Sequence, residues 1–362
     1  MDDRSENEFV GTLRRVAPGS ALREGLDRVL QARMGVLVVL GDGPEVLSLC
    51  SGGFLVDAEF TPQKLYELAK MDGALVLSAD GSRIARANVH LVPDPRVPTN
   101  ETGTRHRTAE RVARSVDVPV IAVSEELSVI SVYRGERKRQ LQPIPTVLAR
   151  ADQALSTLER YKQRLDSVMG ALSSLEMRQE TTLKDVLIVL QRAEMLRRIS
   201  SEIRWYLVEL GADGRLVELQ LNELSLDSSS DYRSVVSDFL GLCSDDDVEA
   251  IVRYLASLST ADLLDTKTLA AGVAKRARCV DLLQRTREVA DPLVIELDSK
   301  GQRVLSLIPH LPESVQGAVL HEVDSLSELV SLSETDLSRI PGVGEEWARV
   351  IKGHLRTMVG RS

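Results

Sequence analysis

Six consecutive residues, Gly103 to Thr108, carry side chains suited to holding phosphate groups. Glycine and threonine precede Arg105, His106 and Arg107, and the residues that follow are typical of a helix. A helix start offers free backbone N–H groups and a positive dipole end, and each arginine adds a guanidinium fork. The stretch therefore predicts a polyphosphate site, with solvated surface charge as the alternative.

Asp72-Gly73-Ala74 is the second candidate, placed where a helix should end and a buried strand should begin. An aspartate at such a junction can bind a hard divalent cation, and the glycine leaves space for a ribose or a nucleotide ring. An isolated Asp-Gly pair is usually only a turn. It becomes a candidate metal and nucleotide site because the phosphate-binding stretch follows in the same predicted domain.

A third candidate is the hairpin Pro341-Gly342-Val343-Gly344. Two glycines permit a tight turn between helices and leave backbone N–H groups at a helix N-terminus, where a DNA phosphate can bind. The pattern resembles the helix-hairpin-helix family, which binds the DNA backbone without reading its sequence. On this resemblance, the expected DNA-binding residues are Gly342, Val343, Gly344, Arg339, Arg349 and Lys352.

Two features of this hairpin leave alternatives open. A plain glycine-capped turn between helices would use the same residues. Glu345 and Glu346 follow directly, and their charge would weaken phosphate contacts and could favour a protein partner. Upstream, the run Leu-Ile-Pro-His-Leu-Pro at 307–312 resembles a degenerate copy of the same unit.

The elements that must position the first two candidates alternate between helix and strand patterns from Phe9 to Leu141. Helical periodicity at 7–34 is interrupted at Pro18-Gly19-Ser20, where Ser20 can cap a second helix, and Thr61-Pro62 predicts another helix start. Strands are expected at 74–78, 83–92, 119–124 and 127–133. A hairpin through 41–44 is expected to join strands at 35–40 and 45–50.

The pattern changes at Gln142-Pro143-Ile144-Pro145, and no convincing strand follows from 146 to about 291. Apolar residues at three- and four-residue steps from Leu155 to Leu172 predict a long helix, with further helical blocks at 183–210 and 247–287. We therefore predict three domains. They are an α/β nucleotide-binding domain with a central mixed sheet flanked by helices (1–145), an all-α spine (146–290) and an all-α helix-hairpin-helix domain (291–362).

Composition narrows the class of protein. The net charge of −9 excludes an evenly basic nucleic-acid coat but permits a local basic patch, and 3% aromatic residues argue against an RNA surface that stacks bases. Cys50, Cys243 and Cys279 form no CxxC pair, which argues for a reducing compartment and against a zinc site. With no signal peptide and no apolar run long enough for a membrane span, the expected location is the cytoplasm.

Asp72-Gly73-Ala74 and Gly103-Thr104-Arg105-His106-Arg107 together match the two signature motifs of diadenylate cyclase domains. With the helical middle and the terminal hairpin, the sequence from Phe9 to Met358 resembles the diadenylate cyclases that carry a DNA-binding helix-hairpin-helix domain. The resemblance implies that two ATP molecules are joined into cyclic di-AMP, with release of two pyrophosphates, between facing protomers of a homo-oligomer such as an octamer. It also implies that activity is coupled to branched DNA such as Holliday junctions, and that DNA-repair proteins are partners.

The resemblance also assigns site residues. Asp72 would bind Mg²⁺ or Mn²⁺ near the reacting 3′-hydroxyl, and Arg105, His106 and Arg107 would hold the triphosphate; these four are the expected catalytic residues. The expected ATP-binding residues are Gly73, Ala74, Leu91, Gly103, Thr104, Arg105, His106, Arg107, Thr108 and Ser124. Glu125 and Glu126 follow Ser124, and if the family usually has a basic residue at either position, phosphate contact on that side is weakened. His90, beside Leu91, is expected in the core, with a position at the adenine as the alternative.

One other function fits the same motifs. A DNA-binding scaffold whose nucleotide domain senses ATP without cyclising it would also need a phosphate site and a terminal hairpin. The intact Asp72 and the complete Arg-His-Arg triplet favour the enzyme over this alternative.

Overall fold

The computed structural model describes residues 3–126, 128–225, 228–240, 245–276, 285–286 and 289–359. Cys243 and Cys279 lie outside these residues. The chain forms two compact units, Met1–Ala154 with Glu202–Gln220, and Leu155–Ser201 with Leu221–Ser362. The first unit contains a mixed sheet flanked by helices and the second is helical, which confirms the predicted fold class.

The sheet of the first unit has eight strands. They are β1 (Val36–Leu40), β2 (Cys50–Ser51), β3 (Phe54–Glu59), β4 (Ala74–Leu77), β5 (Arg83–Leu91), β6 (Val120–Ser124), β7 (Val129–Arg134) and β8 (Arg137–Leu141). Their order is β2-β5-β4-β1-β6-β7-β8, and β3 also pairs with β5. Among the strands of the described residues, only β1 and β4 pair in parallel, and the other pairs are antiparallel.

Five helices precede β6 in the first unit. They are α1 (Asp3–Arg15), α2 (Ala21–Gln31), α3 (Pro44–Ser48), α4 (Pro62–Leu68) and α5 (Thr104–Val116). Two predicted caps are confirmed, because the hydroxyl of Ser20 accepts from the Arg23 N–H at 3.1 Å and that of Thr61 accepts from the Lys64 N–H at 3.2 Å. Each bond satisfies a donor that the first helical turn leaves without an intrahelical partner.

The hairpin predicted around 41–44 is wrong. Pro44 to Ser48 form helix α3, and β1 pairs with β4 and β6 rather than with residues 45–50. Proline is favoured in the first turn of a helix, and an apolar run of five or six residues fits a helix as well as a strand. The sequence pattern could not separate these two outcomes.

Alternating residues of the central strands pack into two apolar clusters, one on each face of the sheet. Val38 and Leu75 belong to the first cluster, and Leu37, Val39 and Val76 belong to the second. The second cluster also contains Ala109, Val112 and Ala113 of α5. Because both faces are covered, the strands are continuous apolar runs. This packing fixes α5, and hence its N-terminal residues, against the sheet.

Twelve α-helices with described bounds follow β8. They are α6 (Ile144–Arg178), α7 (Leu183–Leu210), α8 (Arg215–Ser225), α9 (Ser228–Phe239), α10 (Asp245–Ser257), α11 (Thr260–Leu264), α12 (Thr266–Arg276), α13 (Gln302–Ser306), α14 (Glu313–Glu322), α15 (Leu326–Ser331), α16 (Glu334–Ser338) and α17 (Gly344–Val359). No strand occurs beyond Leu141 in the described residues, as predicted. None of the described helices has the length and apolar character to cross a membrane.

The first unit includes a segment that is remote in sequence from its sheet. Trp205 and Val208, in the last turns of α7, pack against the first apolar cluster. The carboxylate of Glu209 is buried and forms an ion pair with the guanidinium of Arg139 on β8. The Ala212 N–H donates to the Pro18 carbonyl at 3.0 Å. Residues 202–220 therefore complete the core around the sheet.

The second unit contains two pairs of consecutive helices, each joined by a short turn. They are α13 with α14 and α16 with α17. The first turn contains Ile308-Pro309-His310 and the second contains Ile340-Pro341-Gly342. His310 has φ of 61° and Gly342 has φ of 93°, so both turns place a left-handed residue at the same point. The predicted duplication of this unit is therefore present in the structure.

A buried polar cluster connects three helices of the second unit. The Asp238 carboxylate on α9 accepts from the N–H groups of Gln302 and Arg303 at 3.0 and 2.9 Å. The Glu176 carboxylate on α6 accepts from Arg303 Nη2 at 2.5 Å and from Ser299 Oγ at 2.6 Å. Burial raises the pKa of Asp238 to about 6 despite the two N–H donors. Arg303 thus bonds two buried acidic side chains, Asp238 through its backbone N–H and Glu176 through its guanidinium.

Candidate nucleotide-binding site

A cleft of about 540 Å³ opens at the amino ends of β1 and β4, beside the start of α5. It brings together Asp72 and every predicted ATP-binding residue except Arg107. The predicted residues that line it are Asp72, Gly73, Ala74, Leu91, Gly103, Thr104, Arg105, His106, Thr108 and Ser124. Residues from four separate stretches of the sequence, 72–74, 91, 103–108 and 124, therefore line one cleft.

The start of α5 forms the polar side of the cleft. Gly103 is the N-cap, with extended backbone angles and no side-chain capping bond, and the Arg107 N–H donates to its carbonyl at 2.8 Å. Thr104, Arg105 and His106 occupy the first turn, whose N–H groups have no acceptor within the helix. The first turn carries no acidic residue, so its positive end faces the cleft uncompensated by its own side chains.

Arg105 and Asp72 lie close together across the cleft. Arg105 Nη2 is 3.9 Å from Asp72 Oδ1, and the Asp72 side chain is fully exposed. The Arg105 guanidinium lies directly over Gly35, the residue before β1, where any side chain would collide with it. Sequence reasoning missed Gly35, because a single glycine at a strand start gives no sign of the side chain that covers it.

Arg107 does not line the cleft in this structure. Its guanidinium is exposed and folds back on the preceding loop, with Nε 3.4 Å from the Glu101 carbonyl oxygen and Nη2 3.4 Å from that of Thr102. Arg105 and His106 therefore line the cleft, whereas the Arg107 side chain contacts the preceding loop.

His106 lies between the cleft and a group of polar side chains behind it. Its ring meets the Tyr133 ring edge-on at 6.4 Å between centroids. The Tyr133 hydroxyl donates to Glu101 Oε1 at 3.0 Å, and the Lys138 ammonium forms an ion pair with the same oxygen. Burial lowers the pKa of His106, with Lys138 and Arg105 acting in the same direction and Glu101 opposing them.

Glu101 and Tyr133 also have shifted pKa values. Burial alone would raise the pKa of Glu101, but the bonds from Lys138 and Tyr133 and the nearby charges bring it below its usual value. Burial, followed by the Glu101 charge, raises the pKa of Tyr133. Glu101 is therefore ionised and Tyr133 is a neutral hydrogen-bond donor at neutral pH.

The loop before α5 is held by side chains of α5 itself. Glu110 Oε2 accepts from Thr99 Oγ1 at 2.5 Å and from the Asn100 N–H at 3.2 Å, and Glu110 Oε1 is 3.0 Å from Arg114 Nη2. Arg111 Nε donates to the Val97 carbonyl at 3.0 Å, and Arg114 Nη1 donates to that of Pro98 at 2.5 Å. These bonds fix the path of the chain into Gly103.

Gly73 stands where two backbones meet. A Cβ at this residue would be 2.7 Å from the Cα and the carbonyl carbon of Asn88. Asn88 has φ of 55° and lies in an irregular stretch of the β4–β5 pairing. Glycine is therefore required at residue 73 by the adjacent strand, in addition to any space it leaves for a nucleotide.

His90 corrects a sequence-based expectation. It is exposed, and it lines the cleft together with its buried neighbours Val89 and Leu91. The alternation of buried and less buried residues along 87–91 of β5 is the pattern that could have shown that this side chain is not in the core. Glu125 and Glu126 also line the cleft, at the end of β6.

The Asp72 carboxylate at the cleft suits a hard divalent cation that is also bound by the phosphates of a nucleotide. In the described residues, no group of three or more His, Cys, Asp or Glu side chains is arranged to hold a metal. Mg²⁺ is commonly bound by one or two carboxylates together with substrate phosphates and water. A single exposed aspartate beside a phosphate-binding helix start therefore fits such an ion when nucleotide is present.

The predicted DNA-binding residues fall into two groups. Gly342, Gly344, Arg339 and Arg349 are exposed around the second hairpin, and Val343 is buried in the core. Lys352 needs correction, because it is 6% exposed and its ammonium donates to the carbonyls of Leu329 and Val330 at 3.2 and 2.8 Å. Its position one helical turn from Arg349 gave no sign that it faces inward.

Comparison with known proteins identifies the family. The family description "DisA bacterial checkpoint controller nucleotide-binding" matches residues 23–138, and "DisA bacterial checkpoint controller linker region" matches residues 141–278. DNA integrity scanning protein DisA of Frankia casuarinae is 44% identical over 355 residues, covering 98% of this chain and 96% of that protein. The chain belongs to the DisA family. DisA proteins of Kineococcus radiotolerans and Clostridium kluyveri are each 43% identical, over 100% and 98% of this chain and 98% and 96% of theirs.

Membership of the DisA family places the cleft in a defined region. Every residue that lines the cleft, from Leu37 to Glu126, falls within the DisA nucleotide-binding region. The DisA linker region begins at the end of β8 and includes α6 to α12. The nucleotide-binding region is therefore the part of this DisA family member that carries the candidate site.

Proposed function

We propose that this chain is a diadenylate cyclase that joins two ATP molecules into cyclic di-AMP and releases two pyrophosphates. The observation that carries the proposal is the cleft in which Asp72, Arg105 and the start of α5 meet within the DisA nucleotide-binding region. A carboxylate beside a helix N-terminus and a guanidinium is a suitable arrangement for a metal–triphosphate substrate.

In the proposed reaction each 3′-oxygen attacks the α-phosphorus of the other ATP, and pyrophosphate leaves. The N–H groups at the start of α5 and the Arg105 guanidinium bind the triphosphate and stabilise charge on it, while His106 donates to a phosphate oxygen. Asp72 would hold Mg²⁺ or Mn²⁺, which supplies charge neutralisation and eases deprotonation of the 3′-hydroxyl. Arg107 can contribute to the triphosphate only if its guanidinium leaves the Glu101 and Thr102 carbonyls.

One cleft holds one ATP in this proposal, so two copies of the nucleotide-binding region must face each other. Homo-oligomerisation, with an octamer as the expected form, is then part of the mechanism. We also propose that branched DNA such as a Holliday junction binds at the second hairpin and changes the rate of synthesis. The names of the relatives, DNA integrity scanning proteins, and the exposed Arg339 and Arg349 support this coupling.

The deciding experiment is incubation of the purified full-length chain with ATP and Mg²⁺ or Mn²⁺, followed by detection of cyclic di-AMP. We expect product from the wild-type chain, none from Asp72→Asn, and normal rates from Asp27→Asn, whose carboxylate lies on α2 beside Arg23. Synthesis should change on adding a junction, and less on adding duplex or single strands. ATP binding with no product under any DNA condition would support the ATP-sensing scaffold instead.

A further inference from the structure

Four side chains meet at the back of the cleft, one each from the loop before α5, from α5, from β7 and from β8. We name Glu101, Tyr133 and Lys138 the Glu101 cluster; His106 borders it on the cleft side. Tyr133 is 1% exposed, and the Lys138 ammonium lies 5.7 Å from the centre of its ring while pairing with Glu101. No member of the cluster is among the residues that line the cleft. Any effect of the cluster on a bound nucleotide must therefore pass through His106 or the loop before α5.

The charges around His106 have opposite effects on its pKa. Glu101, from the loop, favours the protonated imidazole, whereas Lys138 of β8 and Arg105 of α5 disfavour it. The neutral Tyr133 hydroxyl, from β7, bonds to Glu101 rather than to His106. A carboxylate two residues before the N-cap of a phosphate-binding helix would repel a triphosphate unless a cation neutralised it.

From this geometry we infer that the Glu101 cluster is a positioning device: it holds His106 at the cleft wall, and Lys138 cancels the negative charge that Glu101 places beside the triphosphate site. Glu101, Tyr133 and Lys138 are then positioning residues that act through His106. The inference rests on the proposed function, since it takes the triphosphate of ATP as the ligand at the start of α5.

The first test follows the His106 imidazole directly and needs no activity. The full-length protein is labelled at histidine ¹³Cε1 and titrated by NMR, and the His106 signal is assigned among the five histidines with a His106→Gln variant. Glu101→Gln should lower the pKa of His106, because the facing carboxylate is lost. Lys138→Met should raise that pKa, and Tyr133→Phe should leave it near the wild-type value. Unchanged titration in both charge variants would overturn the inference.

The second test is a double-mutant cycle on ATP affinity. Lys138→Met leaves Glu101 uncompensated, so ATP should bind at least about tenfold more weakly. Adding Glu101→Gln to Lys138→Met should restore affinity to within about threefold of wild type, because the repelling charge is gone. If the double variant binds no better than Lys138→Met, the charge-cancelling role is refuted.

A matched control uses an exposed ion pair in the same unit. Glu24 and Arg28 on α2 pair at 2.7 Å, so Glu24→Gln, Arg28→Met and the double variant change the same charges away from the cleft. These variants should leave both the His106 titration and ATP affinity unchanged. Should the wild-type chain fail to bind ATP, the proposed function fails, while the His106 titration still confirms or refutes the geometry of the cluster.

Discussion

The Arg105 guanidinium fills the place that a side chain on Gly35 would take. A Cβ built on residue 35 would stand 2.7 Å from Arg105 Cζ, closer than a real contact permits. Gly35 precedes β1, at the centre of the sheet, and Arg105 lies in the first turn of α5. The absence of a side chain at one strand start therefore sets where the guanidinium can lie against Asp72.

Replacing Gly35 by alanine should push the Arg105 guanidinium out of its place. We expect Gly35→Ala to weaken ATP binding about tenfold or more, since a charge-assisted contact to phosphate is worth roughly 1.5–3 kcal/mol. Isothermal titration with ATP and Mg²⁺ measures the change. Gly43→Ala is the matched control because a Cβ there meets nothing within 4 Å. Equal affinities for the two variants would contradict this account of Arg105.

Glu110 should matter for the stability of the loop that leads into α5. Glu110→Ala would remove the acceptor of the Thr99 hydroxyl and the Asn100 N–H and one of the two carboxylates at Arg114, so we expect a loss of about 2–3 kcal/mol in the free energy of unfolding. Urea unfolding of Glu110→Ala and of the wild-type chain measures this difference in the free energy of unfolding. Glu136 pairs with the same Arg114 Nη2 at 3.1 Å but is exposed, so Glu136→Ala should cost less than about 1 kcal/mol. A smaller loss for Glu110→Ala than for Glu136→Ala would be inconsistent with the loop clamp.

Asp238 should make the second unit less stable as the pH rises. Its folded-state pKa of about 6 lies above the ordinary aspartate value, so the folded chain binds the proton more tightly than the unfolded chain does. The stabilisation is complete below about pH 4 and is lost as the pH rises toward 6, with a total of roughly 3 kcal/mol from a shift of about two pH units. Urea unfolding at several pH values should show this slope. Asp238→Asn should remove it, and an unchanged slope would assign it to another group.

Substitutions of Lys352 and of Arg349 should have different effects on DNA binding, although both residues are on α17. Arg349→Met and Arg339→Met should weaken binding to a junction, and each should reduce the slope of log affinity against log salt by about one. Lys352→Met should leave that slope unchanged, because the ammonium is committed to two carbonyls, and should instead lower the unfolding stability. If Lys352→Met changes the slope of log affinity against log salt, Lys352 contacts DNA phosphate after all.

His310 holds a backbone conformation that glycine takes at the corresponding point of the second turn. A residue other than glycine in the left-handed conformation is strained by roughly 1–2 kcal/mol, and His310→Gly would remove this strain. The new glycine would also give the unfolded chain more conformational freedom, which offsets part of the stabilisation. We expect His310→Gly to stabilise the chain by about 0.5–1 kcal/mol in urea unfolding. The reverse change, Gly342→His, should destabilise it. Destabilisation by His310→Gly would indicate that the imidazole makes a contact of its own.

The sequence patterns predicted the parts of the fold that local chemistry decides. The caps Ser20 and Thr61, the helix start at Gly103, and the helix before and the strand after Asp72 follow from residue types within a few positions. The hairpin prediction at 41–44 failed because the partners of β1 lie at 74–77 and 120–123, far along the chain. Local pattern does not specify such partners.

The site also has some features that local sequence predicts and others that depend on distant contacts. The motifs located Asp72 and Arg105, and the structure brings both to one cleft. The inward direction of Lys352, the outward turn of Arg107 and the pairing of Glu101 with Lys138 depend on which groups pack behind a helix. These arrangements are set by tertiary contacts between residues up to 37 positions apart, as for Glu101 and Lys138. They were outside the reach of spacing arguments.

The chain passes between its two compact units three times, after residues 154, 201 and 220. A fragment cut at residue 145 would lose Trp205, Val208 and Glu209, exposing apolar surface and leaving Arg139 without its carboxylate. Transfer of the nucleotide-binding region to another protein would therefore need residues 202–220, or a substitute for them, to cover the same apolar surface and pair with Arg139.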